Sequence, residues 1–220
     1  MPQVTRVLAL LARKGGAGKT TLAVHIAVAA VQAGRRVLLV DADPQGSAAD
    51  WWRTRSADAP ELVQCEAEQV ADVAGAARRD GVDLVVVDTR PSVQADTVAL
   101  ARLADLVLIP TRPAILDLRA IGATAEVVRS VKARALVVLN AVPAGRGDAE
   151  AVLTAEARQA LDAYKVPVCP VALGARAALS HALVDGRAVT EFDPSSRAAA
   201  ELQALYRILE NALWPASAPR

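Results

Sequence analysis

The segment Arg13-Lys14-Gly15-Gly16-Ala17-Gly18-Lys19-Thr20-Thr21 joins an apolar run at 4–12 to an alanine-rich stretch of helical character at 19–33. Glycines here let backbone N–H groups turn inward and approach an anion without interference from a Cβ. A helix that starts directly afterwards adds its positive N-terminal end. In a strand–loop–helix of this kind the backbone of Gly15, Gly16, Ala17, Gly18, Lys19, Thr20 and Thr21 is expected to bind a nucleotide's phosphates. The Lys19 ammonium would reach the β- and γ-phosphates, and the Thr20 hydroxyl would coordinate Mg²⁺ directly. An ordinary glycine-rich turn is the alternative, and the Gly-Lys-Thr-Thr ending between strand and helix argues against it.

The rest of the chain repeats the same alternation. Beyond 4–12, strands are expected near 36–41, 62–65, 82–88, 106–109, 135–140 and 168–171. Helices are expected near 67–79, 93–103, 117–131, 149–164, 175–184 and 195–213. Almost continuously apolar runs such as Val37-Leu38-Leu39-Val40 suit strands buried on both faces. Strand–helix–strand units of this length imply an α/β fold, a doubly wound, mostly parallel sheet flanked by helices as in P-loop NTPases. Ligands in such sheets bind at the carboxyl ends of the strands, where the motifs described here fall. With 220 residues and no linker rich in Gly, Pro or Ser, the chain reads as a single domain over 1–214 with a flexible tail at 215–220.

Composition narrows the function classes. Hydrophobic residues make up 53% of the chain but aromatics only 3%, so the core is aliphatic and base stacking on single-stranded nucleic acid has no support. A net charge of +1 offers no global attraction to nucleic acid, and any DNA contact needs a local patch. Cys65 and Cys169 stand far apart and form neither a metal nor a redox motif. No apolar run is long enough to span a bilayer and no leader pattern opens the chain, which points to the cytoplasm.

Further candidates lie at the strand ends. Asp41-Ala42-Asp43-Pro44-Gln45-Gly46 follows the second strand, and Leu84-Val85-Val86-Val87-Asp88 is an aliphatic strand ending in one acid. Carboxylates at these places can hold metal-bound water and orient an attacking water, which is what phosphoryl transfer requires. Strand-end Asp residues also cap helices and form turns, and spacing alone leaves both roles open. The same holds for Asn140, whose amide can contact a purine edge or cap a turn. Only four residues are lysine, Lys14, Lys19, Lys132 and Lys165, and two of them fall in the glycine loop of a chain otherwise rich in arginine. A compact ammonium fits between phosphate oxygens where a guanidinium does not.

Lys14-Gly-Gly-Ala-Gly-Lys19-Thr-Thr resembles the deviant Walker A motif of the ParA/MinD superfamily, and Asp41-Ala-Asp43-Pro-Gln resembles that family's first switch. Arg13 and Arg90 depart from the usual patterns. The resemblance covers nearly the whole chain and is greatest to small ParA-type partition ATPases lacking an N-terminal helix-turn-helix domain. It implies an ATP/ADP-binding, Mg²⁺-dependent ATPase in which Lys14, Lys19 and Asp43 serve catalysis. Lys14 would reach the partner subunit's nucleotide across an ATP-sandwich homodimer, and Asp43 would position water. Asp41 and Asp88 would hold the metal through water, and Asn140 would meet adenine. The segment Ile109-Pro-Thr-Arg-Pro113 with Leu116-Asp117 would lie near the dimer interface.

The resemblance further implies non-specific binding of double-stranded DNA by the ATP dimer, nucleoid association, and a ParB-like or small centromere-binding adaptor that stimulates hydrolysis. The cargo would be plasmid or chromosomal DNA, with a protein cargo, or a largely non-catalytic dimerisation switch, as alternatives. A small-molecule ligase or kinase on the same scaffold leaves Lys14 without a role. Arg176, Arg187, Arg197 and Arg207 are the DNA-binding candidates, although spacing does not put them on one face. The MinD branch binds membranes through a C-terminal amphipathic helix. Here Leu202, Leu205, Tyr206, Leu209 and Leu213 recur at helical spacing without a cationic face, so this helix is expected to dock on the sheet, with no membrane contact.

Overall fold

A computed structural model describes residues 4–91, 95–145 and 150–215. The strands are β1 (Arg6–Leu10), β2 (Val37–Ala42), β3 (Glu61–Gln64), β4 (Leu84–Thr89), β5 (Leu106–Thr111) and β6 (Ala135–Leu139). They form one sheet in the order β3-β2-β4-β1-β5-β6, and every pairing is parallel. The helices are α1 (Lys19–Gln32), α2 (Ser47–Thr54), α3 (Val70–Arg79), α4 (Ala95–Leu103), α5 (Ile115–Ser130), α6 (Val152–Leu161), α7 (Ala177–Val184), α8 (Val189–Phe192) and α9 (Arg197–Leu213).

Side chains alternate across a strand, so each strand feeds two cores. Leu8 and Leu10 of β1 pack on one face with α1 and the α9 residues Leu205, Tyr206, Leu209 and Leu213. Val7 and Ala9 pack on the other with α3, α5 and α6. Strands β2, β4 and β5 are buried along their whole length, as their unbroken aliphatic runs require. Helix α1 is buried from Leu22 to Ala30, so it is apolar all round instead of striped. It ends at Gly34, whose φ of 82° is the left-handed conformation that terminates a helix. The apolar face of α9 is spent on the core, as its lack of a cationic face suggests, and no helix among the described residues is long and apolar enough to cross a membrane.

Three elements depart from the expectation. The seventh strand, expected near 168–171, does not form. Cys169 N–H donates to Val137 O, but Leu139 O, which a continuing parallel strand would pair with Val171 N–H, accepts instead from Leu173 N–H. The register is lost over two residues, and only an isolated bridge at Val168 remains in this stretch. Helix α2 and the short α8 occupy stretches in which no helix is expected. The N-terminus of α2 is capped from a distance: Ala49 N–H donates to Asp41 Oδ2 at 2.9 Å, eight residues back in the chain. The expected helix starts at 93 and 149, and residues 216–220 of the expected tail, lie outside the described residues.

Candidate functional site

The glycine loop leaves β1, the strand flanked by β4 and β5, and enters α1 without a side-chain cap on that helix. Its first-turn N–H groups are therefore left for a ligand. Gly16 and Gly18 have φ of 74° and 97°. A Cβ on Gly18 would also lie 2.2 Å from Asn140 Nδ2, so backbone conformation and space both demand glycine there. Asn140, at the end of β6, donates from Nδ2 to Ala17 O at 2.9 Å and accepts from Ala141 N–H at its Oδ1. The structure thus places Asn140 as a brace on the loop. One amide hydrogen and one oxygen lone pair remain for a further contact.

Two buried charges face each other across this loop. Asp88, the last residue but one of β4, lies in register with Leu10 of β1 and Asp41 of β2. It is completely buried, and among the described residues neither carboxylate oxygen has a hydrogen-bond partner. Burial raises its pKa to about 7; the Thr20 hydroxyl, nearby but outside hydrogen-bonding geometry, and Lys19 oppose the rise, while Asp41 and Asp43 add to it. Lys19 is also buried, and among the described residues it has no ion-pair partner within 4 Å. Burial lowers its pKa against the pull of Asp88 and then Asp43. An uncompensated ammonium and an uncompensated carboxylate are costly when buried. A polyanion at Lys19 and a hard cation between it and Asp88 would satisfy both, and hydroxyl and carboxylate oxygens are the donors Mg²⁺ prefers. Among the described residues no group of three His, Cys, Asp or Glu is placed to hold a metal. The residues thus fit an ion held chiefly by phosphate, water and Thr20.

Asp41 is only 1% exposed, and both its oxygens are occupied, Oδ1 by Asp43 N–H at 3.2 Å and Oδ2 by the α2 cap. Burial raises its pKa and those backbone N–H groups lower it. It builds the loop that carries Asp43. Asp43 is half-buried and turns the chain by accepting from Gln45 N–H at 3.0 Å, one oxygen remaining free of backbone partners. Strand-end acids at spacing two thus divide their work, the inner one shaping the loop and the outer one facing the site.

Lys14 bends back within its own protomer to Asp117 on the first turn of α5, Nζ to Oδ1 2.7 Å. The sequence places Asp117 near an interface but assigns it no chemistry, and it likewise leaves Arg112 without a role. A Cβ on Gly16 would lie 3.9 Å from an Arg112 guanidinium nitrogen. Both follow β5, and the strand-end rule that singles out Asp41 and Asp88 would also have found them. Beside them Ile115 and Leu116 are 61% and 65% exposed. Of the two departures from the family pattern, Arg13 is exposed and Arg90 pairs with Asp96 at 2.5 Å.

Of the four arginines considered for DNA, a shared carboxylate brings two together. Arg176 and Arg197 share Glu201, at 2.8 and 3.2 Å, and Arg187 pairs with Asp185 at 2.5 Å and stacks on Phe192. Arg207 is exposed and donates to Gln203 O in its own helix. Cys65 and Cys169 are unbridged.

A model of the CobQ/CobB/MinD/ParA nucleotide-binding domain matches residues 8–189. The chain is 35% identical over 204 residues to the maintenance of carboxysome distribution protein A of Halothiobacillus neapolitanus, covering 88% of this chain and 91% of that protein. It is 29% identical over 157 residues to the chromosome-partitioning ATPase Soj of Thermus thermophilus, covering 58% of this chain and 63% of that protein. Among solved structures, apo McdA of Cyanothece superposes with a TM-score of 0.77 at 17% identity, over 96% of this chain and 100% of that one. At that identity the superposition speaks for the fold alone.

Proposed function

The chain belongs to the CobQ/CobB/MinD/ParA nucleotide-binding family, and from that premise we propose that it is a Mg²⁺-dependent ATPase that closes as an ATP-sandwich dimer to position a cargo. The observation that carries the reading is the pair of unmatched buried charges, Lys19 and Asp88, at the mouth of an uncapped helix. In the nucleotide complex Lys19 and the N–H groups of residues 15–21 bind the phosphates. Thr20 ligates Mg²⁺, Asp88 accepts from its waters, and Asp41 acts on the metal through the loop it braces. Mg²⁺ supplies neutralisation of the charge that builds on the phosphates. Asp43 orients the attacking water with its unoccupied oxygen. Asn140 holds the loop at Ala17 and offers its remaining amide hydrogen to adenine. Lys14 crosses to the second protomer's triphosphate and completes the charge there.

A protein assembly fits as cargo better than the plasmid or chromosome expected from the motifs. The likeness to a carboxysome-distribution protein spans most of both chains, whereas that to the chromosome-partitioning ATPase spans 58% of this one. Double-stranded DNA bound without sequence preference would serve as the surface on which the dimer moves, with a small adaptor protein coupling it to cargo and stimulating hydrolysis. Arg197 and Arg207 are exposed enough to contact phosphates, and such contacts weaken steeply with salt.

Light scattering and phosphate release test the reading together. The protein is expected to run as a 22.9 kDa protomer with ADP and at twice that mass with ATP and Mg²⁺. Phosphate release should be slow alone and faster with DNA and adaptor. A protein that stays monomeric with ATP and releases no phosphate refutes the proposal.

A further inference from the structure

We infer that Asp117 is a positioning residue for Lys14: it holds the ammonium on its own protomer, and the sandwich forms by exchanging this carboxylate for phosphates bound to the second copy. The inference rests on the sandwich reading above. The pair is close, 2.7 Å, but lopsided, with the Lys14 side chain 44% exposed and that of Asp117 11% exposed. Asp117 is anchored by its backbone N–H to Ala114 O in the first turn of a 16-residue helix. Lys14 sits on a glycine loop. The lysine is therefore the partner that moves, and the carboxylate marks its resting place.

An ion pair this exposed on one side adds little to fold stability. That weakness suits a contact made to be broken. When Lys14 departs, Asp117 is left a mostly buried carboxylate without its cation, which opposes assembly until a triphosphate is present to outbid it. Loss of the γ-phosphate removes the competing anion, and Asp117 draws Lys14 back as the protomers separate. Ile115 and Leu116, bare beside Asp117, put the apolar surface that a second copy would cover directly next to the contact that must open.

Asp117→Asn keeps the shape and removes the charge. The ATP concentration giving half-maximal dimer, read by light scattering, is expected to fall about tenfold relative to the unaltered protein, equivalent to ~1.4 kcal/mol. Asp117→Ser must shift it the same way. If Asp117 only supports the helix start, both variants melt earlier and the ATP requirement stays where it was. A second readout uses the four lysines: with a limiting amine-acylating ester and mass spectrometry, Lys14 of the nucleotide-free protein should react more slowly than exposed Lys132 and Lys165, and several-fold faster once Asp117 is Asn. An unchanged ATP requirement, or an unchanged Lys14 labelling rate, overturns the assignment of Asp117 while leaving the dimer reading intact. An unaltered protein that never dimerises with ATP overturns both.

Discussion

Acidification should weaken this protein through one histidine. His25 lies in the middle of α1, has no exposed surface, and uses both ring nitrogens. Nε2–H donates to Leu179 O at 3.0 Å, and Nδ1 accepts from Val189 N–H at 3.2 Å, so the neutral ring ties α1 to α7 and α8. A proton on Nδ1 would set donor against donor. Burial pushes the pKa down from 6.5 to about 4, with Leu179 O and the charge of Glu191 acting the other way. The sign follows from which state takes the proton. Between about pH 6.5 and 4 the unfolded chain binds it and the folded chain does not, so stability is complete above the unfolded pKa and is lost as pH falls towards the folded one. At ~1.4 kcal/mol per pH unit, the full loss is about 3 kcal/mol, and about 2 kcal/mol of it falls between pH 7.5 and 5. Urea unfolding followed by tryptophan fluorescence at those two pH values measures it, with His25→Phe as the non-titrating comparison. The variant should be less stable at pH 7.5, because Leu179 O and Val189 N–H lose their partner, by roughly 2 kcal/mol. The gap between the two proteins should then close by about 2 kcal/mol at pH 5. Other carboxylates titrate in both proteins and cancel. Equal pH slopes in the two proteins would refute the reasoning.

Three further outcomes are expected. Gly18→Ala forces a Cβ into Asn140 at a φ of 97°, so ATP binding, measured by calorimetry, should be lost and the melting temperature should drop; full binding would show that the loop tolerates a side chain there. Asp88→Asn removes a buried charge without a partner and should stabilise the nucleotide-free protein by about 1–3 kcal/mol, while abolishing the extra thermal protection that Mg²⁺ gives over ATP alone; a destabilised variant with intact Mg²⁺ protection contradicts this. Arg55 is 4% exposed and grips Glu191 through two bonds of 2.7 and 2.8 Å as well as Gly186 O, so Arg55→Met should strand Glu191 and cost about 3 kcal/mol, read by urea denaturation. A loss under 1 kcal/mol would mean the pair contributes little.

What the sequence reveals, and what it hides, divides by how local the cause is. The phosphate loop, the aliphatic strands and the acids that end them are written in short stretches, and Gly16, Gly18, Lys19 and Asp88 stand where those stretches put them. Helix α2 is hidden because its cap comes from Asp41 in the strand before it and not from a residue at its own start. The seventh strand is overestimated because an apolar run does not show the break in register at which Leu173, and not Val171, reaches Leu139 O. Asn140 reads as a nucleotide contact, yet its first bond braces Ala17, 123 residues away. The resting place of Lys14 on Asp117, 103 residues on, and the tie from Arg55 to Glu191 are tertiary in the same sense. Spacing does not put the arginines of the last third on one face, and in space Arg176 and Arg197 share the single charge of Glu201 while Arg187 pairs with Asp185.

A crystal structure grown with Mg²⁺ and a non-hydrolysable ATP analogue would decide whether two protomers share their nucleotides. Two-fold related protomers should enclose the analogues, with each Lys14 withdrawn from Asp117 and lying about 3 Å from the γ-phosphate held by the opposite protomer. A nucleotide-loaded protomer with Lys14 still resting on Asp117, and no second copy over Ile115 and Leu116, would contradict it.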